Sequence, residues 1–154
     1  MNRLHQFDKV ELEQCVLPEN SNQALEDLPQ HAEMHLKNFE IAFGSLKMCS
    51  GDIGFPHSKQ HDLKVWVAGQ KCWLEASSCN FNDFQARRAN ICYRNRRVKV
   101  EPVRTLNASG LALPKTLAAI LENNYSNDEK IRVPEVLKPW VKKDYIGESY
   151  KTNR

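Results

Sequence analysis

The chain lacks several features that place other sequences in a class at once. Its 154 residues contain no run near the ~18 apolar residues that a membrane-spanning helix needs, and its first residues have no apolar stretch typical of a secretory signal. The five cysteines are odd in number and form no Cys-x-x-Cys pair, which disfavours a zinc ribbon and a disulfide framework. We therefore expect reduced thiols, a cytoplasmic location with an organelle left open, and no membrane partner.

Strong charge of either sign is also lacking, since the formal net charge is only +3. Six cations nevertheless lie in one short stretch without an intervening acid: Arg87, Arg88, Arg94, Arg96, Arg97 and Lys99. They could attract RNA or a nucleotide through counterion release, or they could form the solvated face of a hairpin. Charge alone leaves both interpretations open.

The hydrophobic periodicity predicts one α+β domain over residues 1–147, with an antiparallel sheet flanked by helices and a frayed tail at 148–154. Strands are predicted at 4–17, 41–48, 63–68 and 72–78, a basic hairpin at 91–103, and a small-residue turn at 106–110. Helices are predicted from Asn20 or Ser21 to about Phe39, over 82–90, and from Leu113 to Asn123. Pro29 should kink or split the first helix.

Five strings carry a family resemblance over nearly the whole chain: residues 5–11 (HQFDKVE), 49–54 (CSGDIG), 83–88 (DFQARR), 106–110 (LNASG) and 133–139 (VPEVLKP). In this order they resemble the C-terminal half of the catalytic domain of seryl-tRNA synthetases, which are class II aminoacyl-tRNA synthetases. The resemblance implies part of motif 2 and all of motif 3, on a class II antiparallel catalytic core.

That resemblance implies an ATP site. Phe7 corresponds to the aromatic residue that stacks on adenine, and Arg3 to a motif 2 arginine that touches phosphate. Glu75 and Ser78 correspond to ligands of a divalent ion between the ATP phosphates, and oxygen ligands of this kind suit Mg²⁺. Lys115 occupies the place of the motif 3 arginine that clamps the outer phosphates.

It also implies a serine pocket. Glu11 corresponds to a buried carboxylate that grips the amino acid, while Asn107 and Ser109 line the pocket and Gly110 permits close packing. Two residues depart from the family pattern, and the loop after Cys79 is one residue shorter than usual, because Asn80 stands where the family has a further serine. Lys115 keeps a positive charge but loses the planar fork of arginine, and Lys64 stands where a glutamate is usual. A zinc site formed by Cys49, His57, His61 and Cys72 is a weak rival, because its spacing fits no ligand pattern.

The intact enzymes of this family join serine to ATP and transfer it to tRNA(Ser). Motif 1 and the first strand of motif 2, with its arginine, have no counterpart in residues 1–154. We therefore expect weak or no serine activation by this chain alone, with a homodimer or a full-length synthetase as possible partner. The alternative is a non-catalytic synthetase-like module that binds a nucleotide, RNA or a synthetase.

Overall fold

The computed structural model describes residues 4–147, apart from the side chains of residues 76–79. The predicted tail at 148–154 and Arg3 therefore lie outside the described residues. The strands are β1 (Lys9–Val16), β2 (Phe43–Lys47), β3 (Lys59–Val67), β4 (Cys72–Asn80), β5 (Cys92–Arg94), β6 (Val100–Pro102), β7 (Arg104–Ala112), β8 (Ile131–Arg132) and β9 (Tyr145–Ile146). The α-helices are α1 (Ser21–Asn38), α2 (Phe84–Ala89), α3 (Leu113–Asn123) and α4 (Lys138–Val141), and short 3₁₀ turns span Pro18–Asn20 and Glu135–Leu137.

A five-stranded antiparallel sheet with the order β1-β7-β4-β3-β2 organises the domain. This confirms the predicted α+β class. The hairpin β5–β6 and the pair of short strands β8 and β9 form separate two-stranded sheets. No helix among residues 4–147 is long and apolar enough to cross a membrane.

One face of the sheet is covered by α1 and α3. The stripe predicted on α1 is buried: Leu25 and Leu28 pack with residues of β7, while Ala32 and Leu36 pack with β3 and α3. The helix is one element through Pro29, so the predicted split is wrong. Packing of the whole apolar stripe outweighs the single backbone hydrogen bond that proline removes.

The predicted first strand is too long, because β1 begins only at Lys9. Lys9 pairs with Ala112, the last residue of β7, and α3 begins at the next position. Residues 4–8 consequently have no described strand beside them. The sequence pattern alternates there, but alternation without a neighbouring strand does not make a β-strand.

The predicted small-residue turn at 106–110 is also wrong, because these residues form the centre of β7. Their small size serves close packing instead. A β-bulge shifts the β1–β7 register: Val10 pairs with Leu111 and Glu11 with Ser109, which leaves Gly110 unpaired. A side chain at Gly110 would place its Cβ 3.0 Å from Cγ of Leu12.

The sheet opens between β4 and β7. Each strand has nine residues, yet only Ser78, Cys79 and Asn80 of β4 pair with β7. Beyond these pairs the two strands separate toward the end of β7 that leads into α3. A gap therefore lies in the sheet beside the start of this helix.

We predict that Gly110→Ala lowers the free energy of unfolding by about 1–3 kcal/mol, because the new methyl group overpacks the bulge against Leu12. Urea unfolding would measure the change. Gly44→Ala is the matched control, since its Cβ would meet no atom within 4 Å, and it should change stability by less than about 0.5 kcal/mol. Equal stability of the two variants would contradict this account of the bulge.

Candidate active site

Polar side chains gather on the face of the sheet opposite α1. Leu12, Leu106 and Ala108 pack with α1, so alternation along the strands directs Glu11 and Asn107 to the other face. Nδ2 of Asn107 donates a hydrogen bond of 3.2 Å to Oε2 of Glu11. The three residues predicted to line a serine pocket, Glu11, Asn107 and Ser109, are thus brought together by the β1–β7 register.

Glu11 is not the buried carboxylate that the resemblance implies, because 34% of its side chain is exposed. The ammonium group of Lys9 forms an ion pair with Oε1 of Glu11. Lys9 was not predicted from the sequence as part of the site. A signal was present, since residues two positions apart on a strand share a face.

Lys115 spans the gap between β4 and the start of α3. Its Nζ donates a hydrogen bond of 2.5 Å to the backbone carbonyl of Glu75. Glu75, Ser109 and Lys115 border one small cavity of about 30 Å³, whose other walls are mostly apolar core residues such as Leu36 and Val65. The open sheet therefore joins one predicted serine-pocket residue to two of the predicted phosphate and metal residues.

Glu75 and Lys64 lie directly opposite each other on β4 and β3. Leu63, Val65 and Leu74 belong to the core on the α1 side, so Lys64 and Glu75 share the polar face. No ion pair within 4.0 Å involves either side chain in the described part of the chain. An ammonium and a carboxylate group therefore stand side by side, and both are available to a ligand.

Phe7 lies apart from the polar cluster, in the segment before β1. It is 54% exposed and borders a largely apolar hollow of about 400 Å³ with Leu113, Pro114 and Leu117. Leu111 and Thr116 border both this hollow and the small cavity beside Glu75. The two spaces are thus neighbours across the first turn of α3.

Two predicted site residues are not placed by the structure. Arg3 precedes the described residues, and the side chain of Ser78 is among those left undescribed, although its backbone pairs with His61 and Ala108. The zinc rival finds no support: no group of three or more His, Cys, Asp or Glu residues among the described positions could hold a metal ion. His57 instead contacts Gln60, and Cys49 contacts Asp52.

A buried polar pair on β3 also escaped the sequence analysis. Asp62 is 2% exposed, and its Oδ1 accepts a hydrogen bond of 3.0 Å from Nε2 of Gln60. Oε1 of Gln60 lies 3.0 Å from Nδ1 of His57, in the loop before β3. These contacts fix that loop against the polar face, one strand away from Glu75.

Comparison with known proteins agrees with the family resemblance that the five sequence strings indicated. A model of the family described as "tRNA synthetase class II core domain (G, H, P, S and T)" matches residues 1–124. The solved seryl-tRNA synthetase from Pyrococcus horikoshii, described as complexed with ATP, superimposes with a TM-score of 0.89 at 36% identity over 94% of this chain and 33% of that chain. The cytoplasmic serine-tRNA ligase from Naegleria fowleri, in complex with AMP, gives 0.84 at 28% identity, over 94% of this chain and 35% of that one.

The chain therefore belongs to the family of class II tRNA synthetase core domains. Within that family its relatives are serine–tRNA ligases, with 48% identity to the Petrotoga mobilis enzyme over 96% of this chain and 50% identity to the Salinibacter ruber enzyme over 96% of it. In each case the match covers 35% of the relative. The chain thus spans about a third of the length of these curated relatives.

Proposed function

We propose that this chain carries the serine- and nucleotide-binding part of a serine–tRNA ligase catalytic site. The observation that supports this most directly is the hydrogen-bonded group of Glu11 and Asn107 beside Ser109 on the polar face. A carboxylate and an amide provide charge-assisted and neutral hydrogen bonds to an ammonium and a hydroxyl group. The hydroxyl group distinguishes serine from an aliphatic amino acid, whereas the ammonium group is common to both.

The proposed reaction has two steps. The serine carboxylate attacks the α-phosphorus of ATP and releases pyrophosphate, which gives seryl-adenylate. A hydroxyl group of the terminal ribose of tRNA(Ser) then attacks the acyl carbonyl and releases AMP. The protein contributes mainly by positioning the reactants and by placing charge around the phosphates.

Each site residue has a separate role in this proposal. Glu11, Asn107 and Ser109 hold serine, and Phe7 offers its exposed ring to adenine, where stacking contributes about 1–3 kcal/mol. Lys115 faces the outer phosphates, and Arg3 would add a second cation. Lys115 must exchange its hydrogen bond with the Glu75 carbonyl for a phosphate oxygen.

Glu75 is suited to hold Mg²⁺, with Ser78 as the second proposed ligand. The Glu75 carboxylate is exposed and offers the oxygen ligand that Mg²⁺ prefers. When bound, the ion would neutralise charge on the ATP phosphates. The adjacent Lys64 opposes this binding electrostatically, because its ammonium group lies on the same face directly across the strands.

A non-catalytic nucleotide-binding module is the second candidate. Two observations favour it. Lys115 carries a single point charge where the planar guanidinium group of arginine is expected, and Lys64 lies opposite Glu75, the proposed metal ligand. In this alternative the polar face still binds ATP but does not activate serine. A cytoplasmic location and a homodimer or synthetase partner stay predictions from the sequence.

Serine-dependent ATP–pyrophosphate exchange separates the two candidates. We expect the natural chain to show exchange at or slightly above a blank without serine. Lys115→Arg should raise the rate at least tenfold, because a guanidinium group can grip two phosphate oxygens at once. In the Lys115→Arg variant, a second substitution Glu11→Gln should lower the exchange rate to that of the blank without serine. The control Glu13→Gln, which removes a carboxylate on the same strand face, should leave the exchange rate of Lys115→Arg unchanged.

If Lys115→Arg binds ATP without exchange, the non-catalytic module is the correct interpretation. If neither chain binds ATP by calorimetry, both candidates are wrong.

Metal binding without nucleotide tests the role of Lys64. We predict that Lys64→Gln strengthens Mn²⁺ binding about tenfold, because removing a charge ~5 Å from a divalent ion saves ~1–2 kcal/mol at an exposed site. Glu75→Gln should abolish the gain, and Lys47→Gln, on the neighbouring strand, is the matched control. Paramagnetic resonance of free Mn²⁺ measures the affinity. Unchanged binding in both Lys64→Gln and Glu75→Gln would exclude this metal position.

A further inference from the structure

The hairpin formed by β5 and β6, residues 92–102, has a turn held by its own side chains; we call it the basic hairpin. Oδ1 of Asn95 accepts hydrogen bonds from the backbone N–H groups of Arg97 and Lys99, at 2.9 and 3.0 Å. Val98, at the tip, adopts a left-handed conformation with φ of 63°. The turn is therefore fixed before any ligand binds.

The single acid of the basic hairpin is used internally. Oε2 of Glu101 accepts a hydrogen bond of 3.1 Å from the Tyr93 hydroxyl group, and Oε1 accepts one of 2.8 Å from Nδ2 of Asn95. The pKa of Tyr93 is raised, mainly because its hydroxyl group is shielded from solvent and secondly because it contacts Glu101. The phenol therefore stays a neutral donor. Glu101 thus stabilises the hairpin and leaves the outward cations uncompensated.

Four cations of the basic hairpin are exposed: Arg94, Arg96, Arg97 and Lys99. Among the described residues, no carboxylate lies within 4.0 Å of any of their charged groups. The cations nearby behave differently, because Arg87 and Arg104 both form ion pairs with Asp83, at 2.7 and 3.1 Å. The contact with Arg87 holds the pKa of Asp83 below its usual value. Free positive charge is therefore concentrated on the hairpin.

Three of these cations, Arg94, Arg96 and Arg97, border a hollow of about 480 Å³. Its lining comprises Leu17, Glu19, Tyr93, Arg94, Asn95, Arg96 and Arg97. Glu19 is the acid in this lining, opposite three arginines and a neutral phenol donor. Arginine guanidinium groups match phosphate oxygens in pairs, so the hollow is suited to phosphate groups.

We propose that the basic hairpin binds the phosphodiester backbone of an RNA. The hairpin leads directly into Arg104, the first residue of β7, and Ser109 lies five residues further along that strand. At ~3.4 Å per residue, Arg104 lies roughly 10 Å from Asn107 and roughly 17 Å from Ser109, the serine-binding residues of this strand. The hairpin therefore orients an RNA and takes no part in the chemistry.

An anionic membrane surface fits this hairpin less well. Val98 and Val100 are exposed beside the cations, at 66% and 63%, but no Trp or Phe is present in residues 92–102. Interfacial segments anchor through large apolar side chains of that kind. The choice of tRNA as the RNA rests on the proposed function, whereas binding to phosphate groups does not.

The test compares RNA binding across a salt series. Fluorescence anisotropy would follow a tRNA(Ser) transcript and an unrelated RNA hairpin with the natural chain and with Arg96→Gln/Arg97→Gln/Lys99→Gln. We expect the triple variant to lower the slope of log K against log salt by about 2–3, because each lost phosphate contact contributes ~0.7–0.9. Both RNAs should lose affinity alike, at least tenfold near 0.1 M salt, since phosphate contacts carry no sequence information.

The matched control removes the same charge elsewhere, through Lys47→Gln/Lys71→Gln/Lys142→Gln, all at exposed positions. An equal loss in this control, or an unchanged slope in the hairpin variant, would overturn the proposal. Binding to phosphatidylserine vesicles but not to RNA would overturn it as well. Pyrophosphate exchange needs no RNA, so exchange without hairpin-dependent RNA binding contradicts only this inference, and the reverse result contradicts only the serine-activating function.

Discussion

The pairing of β1 with β7 is the constraint on which the candidate site depends. A regular register from Val16–Arg104 to Glu11–Ser109 places Glu11 opposite Ser109, and a bulge then leaves Gly110 unpaired and shifts the pairs of Val10 and Lys9 by one residue. A slip of one residue along the regular register would turn Glu11 and Ser109 to opposite faces of the sheet. Gly110 is needed because Leu12 occupies the space where a side chain would stand. Close packing on the α1 side therefore coincides with the point where the regular register ends, one residue beyond Ser109.

The charge at this face differs from what the resemblance implies. Lys9 is paired with Glu11, Lys115 contacts the carbonyl of Glu75, and Lys64 lies across from the Glu75 side chain. Three ammonium groups thus stand near two carboxylates at a site proposed to take a polyanion. Such a balance attracts ATP, yet it weakens the hold on a divalent ion. Nucleotide binding and serine activation therefore need not accompany each other in this chain.

Much of the fold could be predicted from the sequence, because its elements carry strong local signals. The stripe on α1 and the Pro114 start of α3 gave helices at the predicted positions, and α3 has the predicted bounds. Local signals failed where a distant partner decides the structure. Residues 4–8 alternate but lack a paired strand. Residues 106–110 look like a turn but belong to β7, where 106–109 pair with β1 and 106–108 also pair with β4.

The candidate site was predictable in part. Glu11, Asn107 and Ser109 were expected to meet, and the register brings them together. The gap between β4 and β7, which lets Lys115 reach Glu75, leaves no trace in the sequence because it arises from how far the two strands stay paired. Lys9 was missed for a different reason: the predicted strand places it on the same face as Glu11, but an ion pair between the two side chains was not predicted.

Selectivity for serine in the adenylate itself tests the central claim most directly. Calorimetry would compare a non-hydrolysable sulfamoyl analogue of seryl-adenylate with its alanyl counterpart, which lacks only the hydroxyl group. The account predicts at least tenfold tighter binding of the seryl analogue, because a site built to hydrogen-bond a hydroxyl group leaves polar groups unpaired without it. Equal affinity for the two analogues would show that Glu11, Asn107 and Ser109 do not form a serine pocket.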